Sequence, residues 1–208
     1  MIERKFVAQK IKEFQIQEYI TQNLENVGHS HTKMVKTPLG EKIIIYASRP
    51  GLIVGRKGQN IKQLTRTLKQ KFGLENPQIE ISEVENPSLD SNIVAEKIVD
   101  ALEKFGSEKF KAVCHKVMME VMRAGALGIE LRISGKVPSA RAKSWRFYSG
   151  YLKKCGDIAV TGVRKTHAQA QLKTGIIGIK VSIMPPDLKL PDDIELVDKK
   201  ETKIEEIK

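Results

Sequence analysis

A glycine-bounded basic turn, Gly55-Arg56-Lys57-Gly58, lies between two apolar segments and most constrains how this chain can fold. A GxxG pattern is weak by itself, because about one match is expected by chance in roughly 200 residues. Two further matches begin at Gly125 and Gly175, but only the first encloses two cations and has a predicted helix on each side. Glycines let a sugar-phosphate strand approach the backbone, and the start of a helix favours an anion. The turn is therefore predicted to face a polyanion; a helix connection that binds nothing is the alternative.

The segments around this turn predict a compact order of elements. The spacing of apolar residues and the turn residues between them predict helix, strand, strand, short helix, helix and strand. These elements are predicted over 3–25, 32–37, 42–48, 50–54, 59–72 and 78–82. Pro50 suits the first position of the short helix, and Gly73 suits a helix C-cap.

The second half of the chain predicts two helices followed by a region rich in strands. The helices are expected over about 89–104 and 108–123, with apolar stripes that suit core packing. Strands are predicted over 129–134, 144–152, 157–163 and 176–184, with a short Ala/Gln helix over 166–173. In the strand SWRFYSGYL, Trp145, Phe147 and Tyr151 are expected to face the core, while Arg146 and Tyr148 face outward.

The fold class predicted from this order is α+β. The N-terminal domain is placed at 1–86, a connecting helix at 87–106, and a C-terminal α/β domain with a mostly antiparallel sheet at 107–184. A disordered tail of mixed, mainly acidic charge is predicted over 185–208, since its composition cannot supply a core.

The charge of the chain is concentrated in the predicted C-terminal domain. The net charge is +11, and residues 126–184 alone carry eleven basic and two acidic side chains. Clustered Lys and Arg on a folded domain favour binding to a polyanion, because phosphate neutralisation releases counterions. Nucleic acid is the expected partner; a basic face that serves only solubility is the alternative.

The sequence contains no recognisable catalytic motif. It has no GxSxG, GxxxxGK[ST], GxGxxG or HExxH motif, and its two cysteines and four scattered histidines do not form a metal-ligand pattern. We therefore expect no enzyme activity, no cofactor or metal and no small-molecule substrate. With no apolar run of about 18 residues and no apolar block near the start, a cytoplasmic protein without a membrane partner is expected.

The turn and its flanks, RPGLIVGRKGQNIKQL, resemble a type II KH domain, whose GxxG loop clamps about four nucleotides. An RRM does not fit, because aromatic residues are only 5% of the chain and no aromatic-rich RNP1 strand is visible. Two further blocks, MRAGALGIELRISGKVPSARAKSWRF and KTGIIGIKVSIMPP, complete the resemblance. Together they are similar to the universal family of the third protein of the small ribosomal subunit. The SGKVPSARAKSW and IMPP blocks, and the start of the chain at its first helix, are closer to the archaeal and eukaryotic branch, and the Lys- and Ile-rich composition suggests an archaeon.

The resemblance implies a structural constituent of the small ribosomal subunit. It implies contacts with small-subunit rRNA in the head, with neighbouring head proteins and with mRNA where it enters its channel. Bacterial members carry basic residues at the positions of Lys111, Ala112 and His115 and help to unwind mRNA there; only Lys111 is basic here, with Lys116 nearby. The candidate RNA-binding residues are Arg49, Gly55, Arg56, Lys57, Gly58, Lys62, Lys111, Lys116, Lys136, Arg141, Lys143, Arg146, Lys153, Lys154, Arg164, Lys165 and Lys173.

Two other functions are compatible with parts of the sequence. A free-standing KH-type regulator of single-stranded RNA would explain the GRKG turn but not the basic second domain. A nucleic-acid lyase or nuclease would need a nucleophilic lysine or a metal cluster that the sequence does not display.

Overall fold

The protein is described by a computed structural model that covers residues 2–24, 26–38, 40–74, 76–138 and 140–191. The described chain contains two β-sheets, each with its own hydrophobic core. The predicted tail over 185–208 lies outside the described residues from 192 onward.

The first unit has the predicted order of elements. It consists of α1 (Ile2–Asn23), β1 (His29–Thr37), β2 (Gly40–Ala47), α2 (Pro50–Val54), α3 (Gln59–Phe72) and β3 (Gln78–Glu83). Strand β2 is central, antiparallel to β1 and parallel to β3. Its alternate residues Ile43 and Ile45 are buried together with Ile20 of α1 and Leu68 of α3, so two helices cover one face of this sheet.

The apolar stripe predicted along α1 is only partly buried. Ile16 and Ile20 are fully enclosed, whereas Phe6, Ile11 and Phe14 are each more than half exposed. A helix of 22 residues is about 33 Å long, and only its second half lies over the core. The apolar positions near its beginning therefore follow helical spacing without reaching the core.

The second unit is a four-stranded antiparallel sheet covered on one face by two helices. Its elements are α4 (Ser91–Phe105), α5 (Phe110–Arg123), β4 (Gly128–Gly135), β5 (Lys143–Gly150), α6 (Asp157–Thr161), β6 (Arg164–Leu172) and β7 (Gly175–Met184). The strand order is β5-β4-β7-β6. Ile98 and Leu102 of α4 and Val117 of α5 pack against Leu131 and Val181 of the sheet. The predicted antiparallel α/β architecture is confirmed.

The short helix predicted over 166–173 is wrong, because this segment is strand β6. Ala and Gln favour helices, but tertiary pairing overrides that preference: Arg164 to Leu172 pair with β7 along their whole length. In β6 the side chains of Lys165, His167, Gln169 and Gln171 are exposed. The alternate residues Thr166 to Leu172 lie inward, and Ala170 is fully buried. The sequence itself alternates between these two kinds of residue, which is the pattern typical of a strand.

The strand predicted over 157–163 is also wrong. Residues Asp157–Thr161 form helix α6, closed by hydrogen bonds from the Thr161 hydroxyl to the Asp157 carbonyl (3.0 Å) and from the Gly162 amide to the Ile158 carbonyl (2.9 Å). Gly162 approaches the Leu188 side chain so closely that a Cβ there would lie 2.7 Å from it. The β-branched residues of this short segment favour a strand, but they do not determine its conformation.

A polar junction joins the two units where α4 begins. The Asn92 side-chain amide donates to the Ser30 carbonyl of β1 and accepts from the Thr166 hydroxyl of β6 at 2.6 Å. The Ser30 hydroxyl donates to the Asp90 carboxylate. Helix α4, predicted as a connection, thus contributes its apolar side to the second core and its first residues to the first unit.

His29, which lies beside this junction, should make folding sensitive to mild acid. Its ring is buried, its Nε2 lies 2.9 Å from the Thr32 hydroxyl, and burial, followed by the nearby His31, lowers the pKa of His29 from 6.5 to about 4. As pH falls from about 6.5 to about 4, the His29 imidazole is protonated in the unfolded chain but stays neutral in the folded chain. The free energy of unfolding should therefore decrease by about 3 kcal/mol in total between pH 6.5 and pH 4. Above pH 6.5 the contribution of His29 to stability should not change with pH.

The measurement is urea unfolding at a series of pH values for the full chain, His29→Gln and the control His167→Gln, whose ring is exposed. The pH dependence should be shallower in His29→Gln and unchanged in His167→Gln. Parallel curves for all three proteins would contradict the assignment to His29.

Candidate nucleic-acid interface

The GRKG turn between α2 and α3 has a backbone that requires its glycines. Gly55 has φ 68° and ψ −177°, Gly58 has φ 73° and ψ 20°, and Lys57 between them also has a positive φ of 53°. The conformation of Gly55 is essentially restricted to glycine, and a non-glycine residue such as Lys57 adopts positive φ at a cost in free energy. The turn therefore places the Lys57 side chain in solvent in a conformation that lysine does not prefer.

Asn60 of α3 links this turn to α2 by a hydrogen bond. Its side-chain amide donates to the Leu52 carbonyl of α2 at 3.1 Å, and a Cβ on Gly55 would lie 2.6 Å from that same nitrogen. Around Gly58, by contrast, a Cβ would meet nothing within 4 Å. Gly55 is thus needed for packing and conformation, and Gly58 for conformation alone.

Two backbone amides of the turn are already used within it. The Gly58 amide donates to the Gly55 carbonyl at 3.3 Å, and the Gln59 amide donates to the Arg56 carbonyl. The anion attraction predicted from free amides at the start of α3 is therefore reduced. The positive charge that remains for a ligand is carried by the exposed side chains of Arg56 and Lys57, with Lys62 exposed one turn further along α3.

Arg49 is separated from this turn. It precedes α2 and lines a cleft between the units that also contains Glu96, Asp100 and Glu120. Because Arg49 precedes α2 and the GRKG turn follows it, the structure does not bring Arg49 together with the cations of the turn.

A second group of cations meets at one end of the C-terminal sheet. The Lys111 ammonium of α5 lies 4.6 Å from the centre of the Trp145 ring, and the Lys143 ammonium lies 4.7 Å from it. Trp145 is partly buried and packs against the second core, with its ring 5.8 Å from that of Phe110. This confirms core packing for the indole, and cation–π attraction holds two lysines that are 32 positions apart in sequence against the same ring.

The hairpin that joins β4 to β5 adds to this group. Gly135 pairs with Lys143 as the last pair of the two strands, and Lys136 and Arg141 are exposed just beyond it. We call Lys111, Lys136, Arg141 and Lys143 the hairpin cluster. Sequence reasoning placed three of them in one block, but only the fold adds Lys111.

Arg146 and Lys154 lie on the outer face of the sheet and share one carboxylate. Arg146 donates to both oxygens of Glu130 at 2.8 and 3.2 Å, and Lys154 contacts it at 2.8 Å. Burial alone would raise the pKa of Glu130, but the hydrogen bonds from Lys154 and Arg146 outweigh it and hold that pKa below its usual value. Sequence reasoning missed Arg132 and Lys180, which lie on the same outer face; the alternation along β4 and β7 was the signal for them.

The remaining candidates are distributed over the second unit. Lys116 is exposed on α5, and Lys173 is exposed in the turn between β6 and β7. Arg164 reaches the Leu89 carbonyl at 3.5 Å, and Lys165 donates to the Ala159 carbonyl of α6. Lys153 is half-buried and has an interaction partner. These five residues form no single site.

The described residues contain no group of three His, Cys, Asp or Glu side chains arranged to hold a metal ion. Cys114 is buried, which raises the pKa of its thiol to about 12, and Cys155 is exposed; neither forms a disulfide. No helix within the described ranges is long and apolar enough to cross a membrane.

Comparisons with known proteins agree with this architecture. The family model described as "KH domain" matches residues 15–89, and that described as "Ribosomal protein S3, C-terminal domain" matches residues 98–183. Small ribosomal subunit protein uS3 of Methanocaldococcus jannaschii is 45% identical over 203 residues, which are 98% of this chain and 97% of the relative. The uS3 proteins of Methanococcus maripaludis strain C5 and Methanosphaera stadtmanae are 42% and 40% identical, over 95% and 99% of this chain and 92% and 81% of the relatives. The predicted KH domain and the family resemblance are confirmed.

The two glycines of the GRKG turn should differ in their tolerance of alanine. Gly55→Ala must displace Asn60 and adopt a conformation restricted to glycine, so it should lower the free energy of unfolding by about 2–4 kcal/mol. Gly58→Ala meets open space and should cost only about 1 kcal/mol. Urea unfolding of both variants checks this difference, and equal losses would contradict the role of Asn60.

Proposed function

Because the chain belongs to the family of small ribosomal subunit protein uS3, we propose that it is a structural constituent of the small ribosomal subunit that binds small-subunit rRNA. The observation that carries this proposal is the alignment with uS3 relatives along 95–99% of this chain, which spans both sheets. The basic second unit gives the proposal its physical basis, since phosphate contacts anchor a protein on folded RNA without reading its sequence.

The second unit is the main anchor in this proposal. It carries eleven basic and two acidic residues over 126–184, whereas the GRKG turn supplies Arg56 and Lys57. The candidate contacts there are the hairpin cluster together with Lys116, Arg146, Lys153, Lys154, Arg164, Lys165 and Lys173. The GRKG turn and Lys62 form a second, smaller contact, and Arg49 belongs to neither surface.

The hairpin cluster is proposed to lie along the channel through which mRNA enters. Ala112 and His115 carry no formal positive charge next to Lys111, but Lys143 of β5 reaches the same indole ring. The second cation is thus supplied from across the fold rather than from the next position on α5. An ammonium held above an indole keeps its charge and can contact a passing phosphate.

The remaining parts of the proposal concern location and chemistry. We place the protein in the cytoplasm on the head of the small subunit, next to neighbouring head proteins. We assign it no reaction of its own, so its contribution to translation is to bind and position RNA.

Sedimentation tests the central proposal. The full chain, added to small subunits from a uS3-depleted archaeal extract, should migrate with them through a sucrose gradient at physiological salt. A chain with the GRKG turn intact but residues 126–184 stripped of charge by Lys→Gln and Arg→Gln changes should migrate free. Recovery of the unaltered chain only at the top of the gradient would refute the ribosomal function.

The single tryptophan provides a direct test of the hairpin cluster. Binding of a single-stranded uridine oligomer should change Trp145 emission, because phosphates draw the two ammonium groups away from the ring. In Lys111→Gln/Lys143→Gln the affinity should fall and the slope of log K against log salt should become shallower by about 1.4.

Lys5→Gln/Lys33→Gln is the matched control, since it removes two exposed lysines from the first unit. It should retain the wild-type slope and the change in emission. If both double variants behave alike, the hairpin cluster does not contact single-stranded RNA.

A further inference from the structure

The sheet of the second unit has one face that no described element covers. Helices α4 and α5 pack against the other face. On the uncovered face, one residue from each strand forms a row in register: Arg146 pairs with Arg132, Arg132 with Lys180, and Lys180 with His167. All four side chains are exposed. We call this surface the open sheet face.

The row is electrostatically unfavourable for the protein on its own. Adjacent strands lie about 4.8 Å apart, and like charges directly opposite one another destabilise a sheet. Arg132 has a cation on each side, Arg146 on β5 and Lys180 on β7.

Only one side of the row is neutralised. Glu130, one pair along β4, is held by Arg146 and Lys154, and Arg132 reaches it only at 3.8 Å. The Lys180 ammonium makes no ion pair or side-chain hydrogen bond with any residue that the structure describes. An anionic partner would relieve the repulsion that the fold leaves uncompensated.

We propose that the open sheet face binds the phosphate backbone of a folded RNA, with Arg132 and Lys180 as direct phosphate contacts. This inference rests on the proposed function and assigns two residues that lie outside the hairpin cluster and the GRKG turn. Arg146 is not assigned as a direct phosphate contact, because its side chain is already bound. It donates to Glu130 at 2.8 Å, and its guanidinium lies 5.0 Å from the centre of the Tyr148 ring.

The composition of the face favours RNA over a protein. The central part of a protein–protein interface is depleted of charge and rich in apolar and aromatic groups, whereas nucleic-acid interfaces are polar and strongly positive. Here the centre is Arg132 and Lys180, and the large exposed ring, Tyr148, stands to one side on the outer strand β5. Lys165 lies next to Ser182 of β7, but its ammonium donates to the Ala159 carbonyl of α6.

The test compares two double variants of the full chain in filter binding to a small-subunit rRNA transcript across a range of salt. Arg132→Gln/Lys180→Gln should reduce affinity about tenfold or more at physiological salt and make the slope of log K against log salt shallower by about 1.5–2. Arg4→Gln/Lys5→Gln removes the same residue types from the exposed beginning of α1 and should bind like the wild type.

Stability supplies an independent readout. Because Arg132→Gln/Lys180→Gln removes like-charge neighbours, its melting temperature should equal or exceed that of the wild type, so weaker binding would not reflect unfolding. Glu130→Gln should strengthen binding, since it releases Arg146 and Lys154 from their shared carboxylate.

The outcomes separate the two proposals. Loss of affinity and slope in Arg132→Gln/Lys180→Gln, with the control unchanged, supports the open sheet face as an RNA contact. Wild-type binding by that variant overturns this inference and leaves the ribosomal function standing. Failure of the wild type to bind the transcript at all counts against the proposed function.

Discussion

Helix α4 buries its apolar side in the second core and forms hydrogen bonds to the first unit at its beginning. The positions of the two units relative to this helix depend on both contacts. Ile98 and Leu102 are fully enclosed in the second core. On the opposite side, the Asn92 side chain donates a hydrogen bond to β1. Burial raises the pKa of the nearby Glu96 carboxyl, whose Oε1 has no hydrogen-bond partner among the described residues. Buried polar groups with partners fix a unique geometry, because leaving any of them unpaired is costly. The two units therefore share a defined junction at the start of one helix.

Because α4 and α5 cover the same face of the second sheet, most of the charged side chains of its strands lie on the opposite face. Each strand alternates between faces, so every inward Leu131 or Val181 requires an outward neighbour such as Arg132 or Lys180. With one face covered, these outward positions are exposed together across four strands. The same alternation that builds the core thus assembles the cationic row, and no loop is needed to form it.

The sequence predicted the parts of this structure that depend on local order. The GRKG turn, the six elements of the first unit and the strands around Leu131 followed from spacing and turn residues. The helix predicted over 166–173 is wrong because pairing with β7 overrides the helical propensity of Ala and Gln, and the alternation of exposed and inward residues follows that pairing. The contacts of Lys111 and Lys143 with Trp145, and the row through Arg132 and Lys180, depend on chain folding and strand register, which no local pattern specifies.

The two basic surfaces differ in how much of their attraction for phosphate remains available. In the GRKG turn, the Gly58 and Gln59 amides are already bonded within the turn, so Arg56 and Lys57 must act through flexible side chains. In the second unit the cations are held in place, Lys111 and Lys143 by an indole and Arg146 by Glu130. Side chains ordered before binding lose less conformational entropy when they meet a ligand. The ordered cations of the second unit are therefore expected to bind phosphate at a smaller entropic cost per contact than Arg56 and Lys57 of the turn.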